Sequence, residues 1–213
     1  MKFRSRDTVA LGLALAAAWL AYRFVLDLEL VGWDSYPILA ASHPADLSTT
    51  LFDRWMGGRY PRGDFYRPLS TLSFALDRAL WDLVPRGFQR TNLLTLLFAT
   101  GCSYGLARAW LGHSVAAGVA ALCFALHPAQ LEVVPVAARR SDLLAAGLMA
   151  AALWAQPLEP HGSRARLVLG AGLALLASAA KETGVAVLPA IVALHAGLAP
   201  QARGRIPMQK PNK

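Results

Sequence analysis

Residues 126–145 read LHPAQLEVVPVAARRSDLLA and separate two runs of almost pure alanine, leucine and valine. The stretch holds His127, Gln130, Glu132, Arg139, Arg140 and Asp142. Charged side chains at bilayer depth are costly and mark either a functional site or a paired network. The fold therefore turns on whether this stretch is a connection between two membrane helices, with its charges gathered at one membrane face.

The flanking sequence favours that reading. Of 213 residues, 55% are hydrophobic and only 16% charged, against roughly a quarter charged in a soluble domain. Mean hydropathy is +0.39. Six apolar runs are expected as spans: Thr8–Val25, Thr91–Trp110, Ser114–Leu126, Ser141–Gln156, Arg166–Ala180 and Gly184–Leu198. The first two approach the ~20 residues that hydrocarbon requires, and the other four are short. The basic start followed by an apolar run also fits a signal peptide, but the run continues past any obvious cleavage site and further spans follow. The expected fold class is all-α, a polytopic membrane bundle of about six spans, as residues 1–198. Residues 199–213 form a basic cytoplasmic tail, a point at which a longer reading frame could have been truncated.

The formal charge of +8 does not imply nucleic acid, because the cations form no stripe with interleaved aromatics. They lie mostly at the ends of apolar runs, as membrane topology predicts. Lys2, Arg4 and Arg6 precede the first span, which sets the N-terminus in the cytoplasm. Alternation then puts Arg108, Arg164, Arg166, Arg203, Arg205, Lys210 and Lys213 inside, and Arg139, Arg140 and Lys181 outside. Those outer cations need a partner or a purpose. Composition and short loops point to a bacterial inner membrane. Cys102 and Cys123 sit inside apolar runs as small hydrophobes, and no Cys/His set has zinc spacing.

Residues 27–90 form one long outer segment with seven arginines against eight acidic residues. Within it, HPADLSTTLFDRWMG puts Leu47, Leu51, Phe52 and Trp55 on one helical face, and LSTLSFALDRALWDL does so with Leu69, Leu72, Leu76, Leu80 and Leu83. Such amphipathic helices lie flat at a membrane surface. MGGRYPRGDFYRPL between them reads as an ordered loop. No tetratricopeptide-like repeat is present.

Each polar group also has a plain explanation. Lys181–Glu182 suits a water-exposed turn, Ser141 or Asp142 a helix cap, His127–Pro128 a helix stop, and Asp34 a solvated loop. Their convergence on one face carries more weight than any single residue.

Five segments then occur in a telling order: WDSY (33–36), FYRPLSTLSFALD (65–77), GFQRTNLL (87–94), HPAQLEVVPVAARRSDLLA (127–145) and AKETGVAVLP (180–189). Together they resemble the membrane portion of the GT-C glycosyltransferases, most closely the transmembrane and tetratricopeptide-repeat O-mannosyltransferase type and its bacterial relatives. The resemblance implies transfer of a sugar from a polyprenyl-phosphate donor to a protein or glycan acceptor at the outer face. It implies Asp34 as catalytic base, and Arg67, Arg140 and Lys181 as cations for the leaving phosphate. Tyr66, His127 and Glu132 would complete the substrate-binding set, with Asp142 and Glu182 pairing structurally to hold cations in place, Asp142 holding Arg140 as a phosphate clamp. A divalent metal is left open as cofactor, without assigned ligands. The chain departs from the family pattern with Ser35 after Asp34, with Gln89 where relatives tend to have histidine, and with no repeat array. A non-catalytic membrane scaffold retaining the fold is the rival reading. A small transporter is weaker, since no internal repeat is visible.

Overall fold

The computed structural model describes residues 5–42, 45, 47–52, 65–157 and 163–203. The described residues are helical and contain no strand. Ten α-helices occur among them: α1 (Ser5–Tyr22), α2 (Ser35–Ala41), α3 (Leu47–Phe52), α4 (Pro68–Trp81), α5 (Pro85–Leu111), α6 (Ser114–Ala125), α7 (Gln130–Val133), α8 (Arg140–Ala155), α9 (Arg164–Ala180) and α10 (Val187–Arg203). Short 3-10 turns at Arg23–Asp27, Ala137–Arg139 and Glu182–Ala186 join several of them. Residues 56–64 of the loop expected between α3 and α4, Trp55, and the tail beyond residue 203 lie outside the described residues.

Helix α5 is the axis. It packs against α1 and α6 on one side and α8 on the other, and α8 carries α9 and α10. Its limits follow from local chemistry. Pro85 occupies its first turn, where a missing N–H costs nothing. Gly112, at φ +69°, ends it in the left-handed conformation that spares glycine a steric penalty. Helix α4 likewise opens on Pro68.

The apolar side chains are distributed by size. The buried core is dominated by alanine, including Ala14, Ala18, Ala99, Ala117, Ala121, Ala152, Ala174 and Ala177. Large aliphatic side chains point outward: Leu13 is 64% exposed, Val168 72% and Leu175 70%. Water-soluble bundles bury their large aliphatics, whereas small residues at contacts and large ones outside are the pattern of helices packed in lipid. Helix α4 carries the same inversion. Ser70, Phe74 and Asp77 face inward, and Leu72, Leu76 and Leu80 are exposed.

Six spans were expected, but among the described residues one helical stretch, Ser5–Asp27, is both long and apolar enough to cross a membrane. Helix α5 has the length, but Arg90, Asn92 and Arg108 dilute its apolar character. Helices α6, α8, α9 and α10 have 12, 16, 17 and 17 residues, below the usual ~20.

Polar contacts pin both ends of the bundle. At the end holding the start of α1, the buried Asp7 Oδ1 accepts from Tyr104 Oη at 3.0 Å, Arg108 Nε at 2.5 Å and Ser114 Oγ at 2.7 Å. One carboxylate thus fastens α1, α5 and α6. At the same end, Arg166 donates to the carbonyls of Trp154, Ala155 and Gln156. It thereby satisfies acceptors that the last turn of α8 would leave bare.

Candidate functional site

The opposite end gathers most of the residues singled out from sequence. It is built from the start of α4, the connection 126–139, the start of α8, and the turn between α9 and α10.

Arg140 lies at its centre and is fully buried. Its Nε donates to Asn92 Oδ1 at 2.7 Å, its Nη2 to the Phe88 carbonyl at 3.1 Å, and its Nη1 to Ser73 O and Oγ at 3.3 and 3.4 Å. Nη2 also lies 2.6 Å from Asp77 Oδ2, and the guanidinium sits 4.4 Å from the centre of the Phe74 ring. Thr91 Oγ1 donates to the other Asp77 oxygen at 2.6 Å. Burial pushes the Asp77 carboxyl above its ordinary range, and the Arg140 charge and the Thr91 hydroxyl pull it back. This corrects the expectation that Asp142 holds Arg140 toward a phosphate. Residues two apart on a helix do not face each other, and the guanidinium is enclosed by α4 and α5.

Asp142 pairs with Lys181 instead, through Oδ1 and Nζ. Arg67 forms a two-pronged bridge to Glu182, with Nε to Oε2 at 2.8 Å and Nη2 to Oε1 at 2.5 Å. The bridge, led by that hydrogen bonding, holds the Glu182 carboxyl below its usual range. The Arg67 side chain is 13% exposed and that of Glu182 45%. Lys181 and Asp142 are also partly exposed. Two cations from distant parts of the chain therefore share one surface, each held by a carboxylate that solvent can reach.

Backbone contacts make this possible. Ser70 Oγ donates to the Ala180 carbonyl at 2.7 Å, docking α4 on the end of α9. Gly184 lets the following turn fold back, since a Cβ there would lie 2.2 Å from the Ala177 carbonyl oxygen.

The remaining expected residues are more peripheral. Asp34 is half-buried ahead of α2, where its carbonyl accepts from Ile38 N. This loop abuts the 126–139 connection, for a Cβ on Gly32 would meet Val136 at 2.8 Å. Tyr66 is exposed beside Arg67. His127 is exposed, and its Nδ1 accepts from Ala129 N at 3.2 Å within its own turn. Glu132 is exposed and pairs with Arg139 at 3.3 Å. Neither His127 nor Glu132 lines a buried pocket in this arrangement. Among the described residues, no group of three His, Cys, Asp or Glu side chains is placed to hold a metal.

Sequence reasoning missed the residues that support this end. Gln89 donates to the carbonyls of Pro135 at 3.0 Å and Glu29 at 3.3 Å, and Asn92 donates to Val134 at 3.2 Å. They stand three apart, hence on one face of α5, and bind the 126–139 connection to it. The available signal was the pair of amides at that spacing within an apolar helix.

Comparison with known proteins gives partial likenesses. No family model matches the chain, and no solved structure does. The mouse (Mus musculus) protein O-mannosyl-transferase TMTC2 is 35% identical over 129 residues, 58% of this chain and 15% of the relative. The human (Homo sapiens) protein of that name is 34% identical over the same extents. The Xenopus laevis tmtc2 protein is 36% identical over 78 residues, 37% of this chain and 9% of the relative. The chain thus spans 15% or less of these relatives' length. At low identity and partial coverage, the likeness supports a relationship to glycosyltransferases.

Proposed function

We propose that the chain is the membrane part of a glycosyltransferase that moves a sugar from a polyprenyl-phosphate donor to an acceptor hydroxyl at the outer membrane face. The observation that carries this reading is the surface where Arg67 and Lys181 converge, each tethered by a partly exposed carboxylate. The partial likeness to protein O-mannosyl-transferases supports it. So does the alanine core beneath an exterior of leucine and valine, which suits helices packed in lipid. In this reading α1, α5, α6, α8, α9 and α10 are the six spans, the N-terminus is cytoplasmic, and α4 rests its leucine face on the outer leaflet. The relatives are vertebrate proteins, so a bacterial inner membrane rests on composition alone.

The chemistry needs a base and an anion-stabilising surface. The acceptor oxygen forms a bond to the anomeric carbon as its proton passes to the Asp34 carboxylate. The bond from that carbon to the phosphate oxygen breaks, and its electron pair leaves with the lipid phosphate. Attack opposite the leaving group inverts the anomeric centre. Arg67 and Lys181 stabilise the charge gathering on the phosphate, exchanging Glu182 and Asp142 for it. Arginine suits such two-pronged phosphate contact. Tyr66, His127 and Glu132 border the acceptor side. Arg140 is a positioning residue, holding α4, α5 and α8 together beneath the surface cations.

The test is transfer from a radiolabelled polyprenyl-phosphate sugar by the protein reconstituted in lipid, beside Asp34→Asn. Transfer by wild type and its loss in the variant is the expected result. Absence of transfer by wild type overturns the enzyme reading and leaves a membrane scaffold. Transfer that survives in Asp34→Asn removes only the role of Asp34.

A further inference from the structure

At the end of the bundle away from Arg67 and Lys181, α1 and α6 enclose a groove of about 390 Å³. Gly118 explains its depth. The two helices approach so closely there that a Cβ at this position would lie 3.3 Å from the Ala10 Cβ. Val9 and Leu13 rise on one side of this floor, and Val115, Val119 and Leu122 on the other. The lining is apolar except at one mouth, where Ser5 and Arg6 stand.

Arg6 is exposed and makes no ion pair among the described residues. The reason lies next to it in sequence. Asp7 faces inward, where Tyr104, Arg108 and Ser114 already share one of its oxygens. The buried Asp7 carboxylate thus serves Arg108 and leaves Arg6 at the groove mouth without a carboxylate partner among the described residues. Lys2 and Arg4 precede it in sequence.

We propose that this groove binds an anionic glycerophospholipid of the inner leaflet, with one acyl chain between α1 and α6 and the phosphate on Arg6. The inference rests on the membrane orientation given above, and the site is separate from the sugar-donor surface. An acyl chain suits walls of valine and leucine, and basic residues beside a span attract anionic headgroups. A zwitterionic lipid fills the groove equally well but brings no net charge to Arg6.

The experiment uses native mass spectrometry of the protein in mild detergent with equimolar phosphatidylglycerol and phosphatidylcholine. Wild type is expected to retain phosphatidylglycerol preferentially. Arg6→Gln lowers that retention by about fivefold, the effect of one basic residue at an anionic surface. Val119→Trp, which fills the groove from its exposed side, lowers retention of both lipids. Equal retention of the two lipids by wild type overturns the proposal, as does unchanged phosphatidylglycerol retention in Arg6→Gln. A change of oligomeric state in Val119→Trp with lipid retention intact also overturns it, by making the groove a helix-docking surface. Alkaline carbonate extraction of membranes separates the two levels. Release of the protein removes the membrane reading and the lipid site with it, whereas resistance without lipid preference removes the lipid site alone.

Discussion

Arg140 and Arg67 lie at the same end of the bundle, and both meet α4, yet their settings are opposite. Arg140 is sealed among α4, α5 and α8, with Asp77, Asn92, Ser73 and the Phe88 carbonyl around it. Arg67 meets the partly exposed Glu182 carboxylate at the surface. A cation enclosed by the fold has no vacancy for a ligand, while one held by a solvent-reachable carboxylate can exchange it. Burial, more than residue type, separates the group that builds the site from the group able to meet a substrate.

The largest effect should come from breaking the buried half. Arg140→Met leaves the Asp77 carboxylate enclosed without its cation and should cost about 3–5 kcal/mol of stability. Thermal unfolding in micelles, followed by the reactivity of the buried Cys102 thiol, measures it. Replacing both partners, with Asp77→Leu added, should recover most of the loss, because an apolar pair of similar volume restores a satisfied interior. A double variant as unstable as the single one would mean that Asn92 and Phe88 carry the node.

Gly184→Ala tests the backbone beneath the exposed half. The new methyl would collide with the Ala177 carbonyl, and a cost of about 1–3 kcal/mol is expected from overpacking. The turn bearing Lys181 and Glu182 should become more open to protease cleavage.

Arg67→Ala sharpens the contrast. Stability should change by less than about 1 kcal/mol, as for surface ion pairs. Transfer by the reconstituted protein should fall about 10²–10³-fold, the usual loss on removing one charge-stabilising donor. A large loss of stability with transfer preserved would put Arg67 in the same class as Arg140.

The smallest effect concerns pH. Glu182 has its carboxyl lowered from an ordinary value of 4.5. Its bridge therefore contributes fully above that value and is lost as pH falls through the lower, folded value. Wild type and Glu182→Gln should differ slightly in unfolding temperature near neutrality and converge in acid. The difference stays below about 1 kcal/mol, because the group is largely solvated.

Much of this organisation was legible in the sequence. Apolar runs located α1, α6, α8, α9 and α10 to within a few residues, and the leucine spacing located α4. Helix α5 begins earlier than the expected Thr91, at Pro85, because Gln89, Arg90 and Asn92 interrupt its apolar pattern while facing partners elsewhere. The pairings were not legible. Arg67 and Glu182 are 115 positions apart, beyond any local periodicity. Arg140 finds Asp77 only because α4 folds back across α5. One error was avoidable, since Arg140 and Asp142 cannot share a helix face at a spacing of two. Asp7 drew no notice because its partners Arg108 and Ser114 lie 101 and 107 positions away, beyond any local pattern.

Arg166 has a consequence in time as well as in space. Under the proposed topology, its charge helps keep the α8–α9 connection in the cytoplasm while the chain is being inserted. Once the hairpin closes, the same guanidinium spans the carbonyls of Trp154, Ala155 and Gln156 and becomes the latch of the finished turn. One side chain thus serves first as an address and later as a fastener. Arg166→Lys would keep the address and weaken the fastener, separating events in the life of the protein that a single static contact merges.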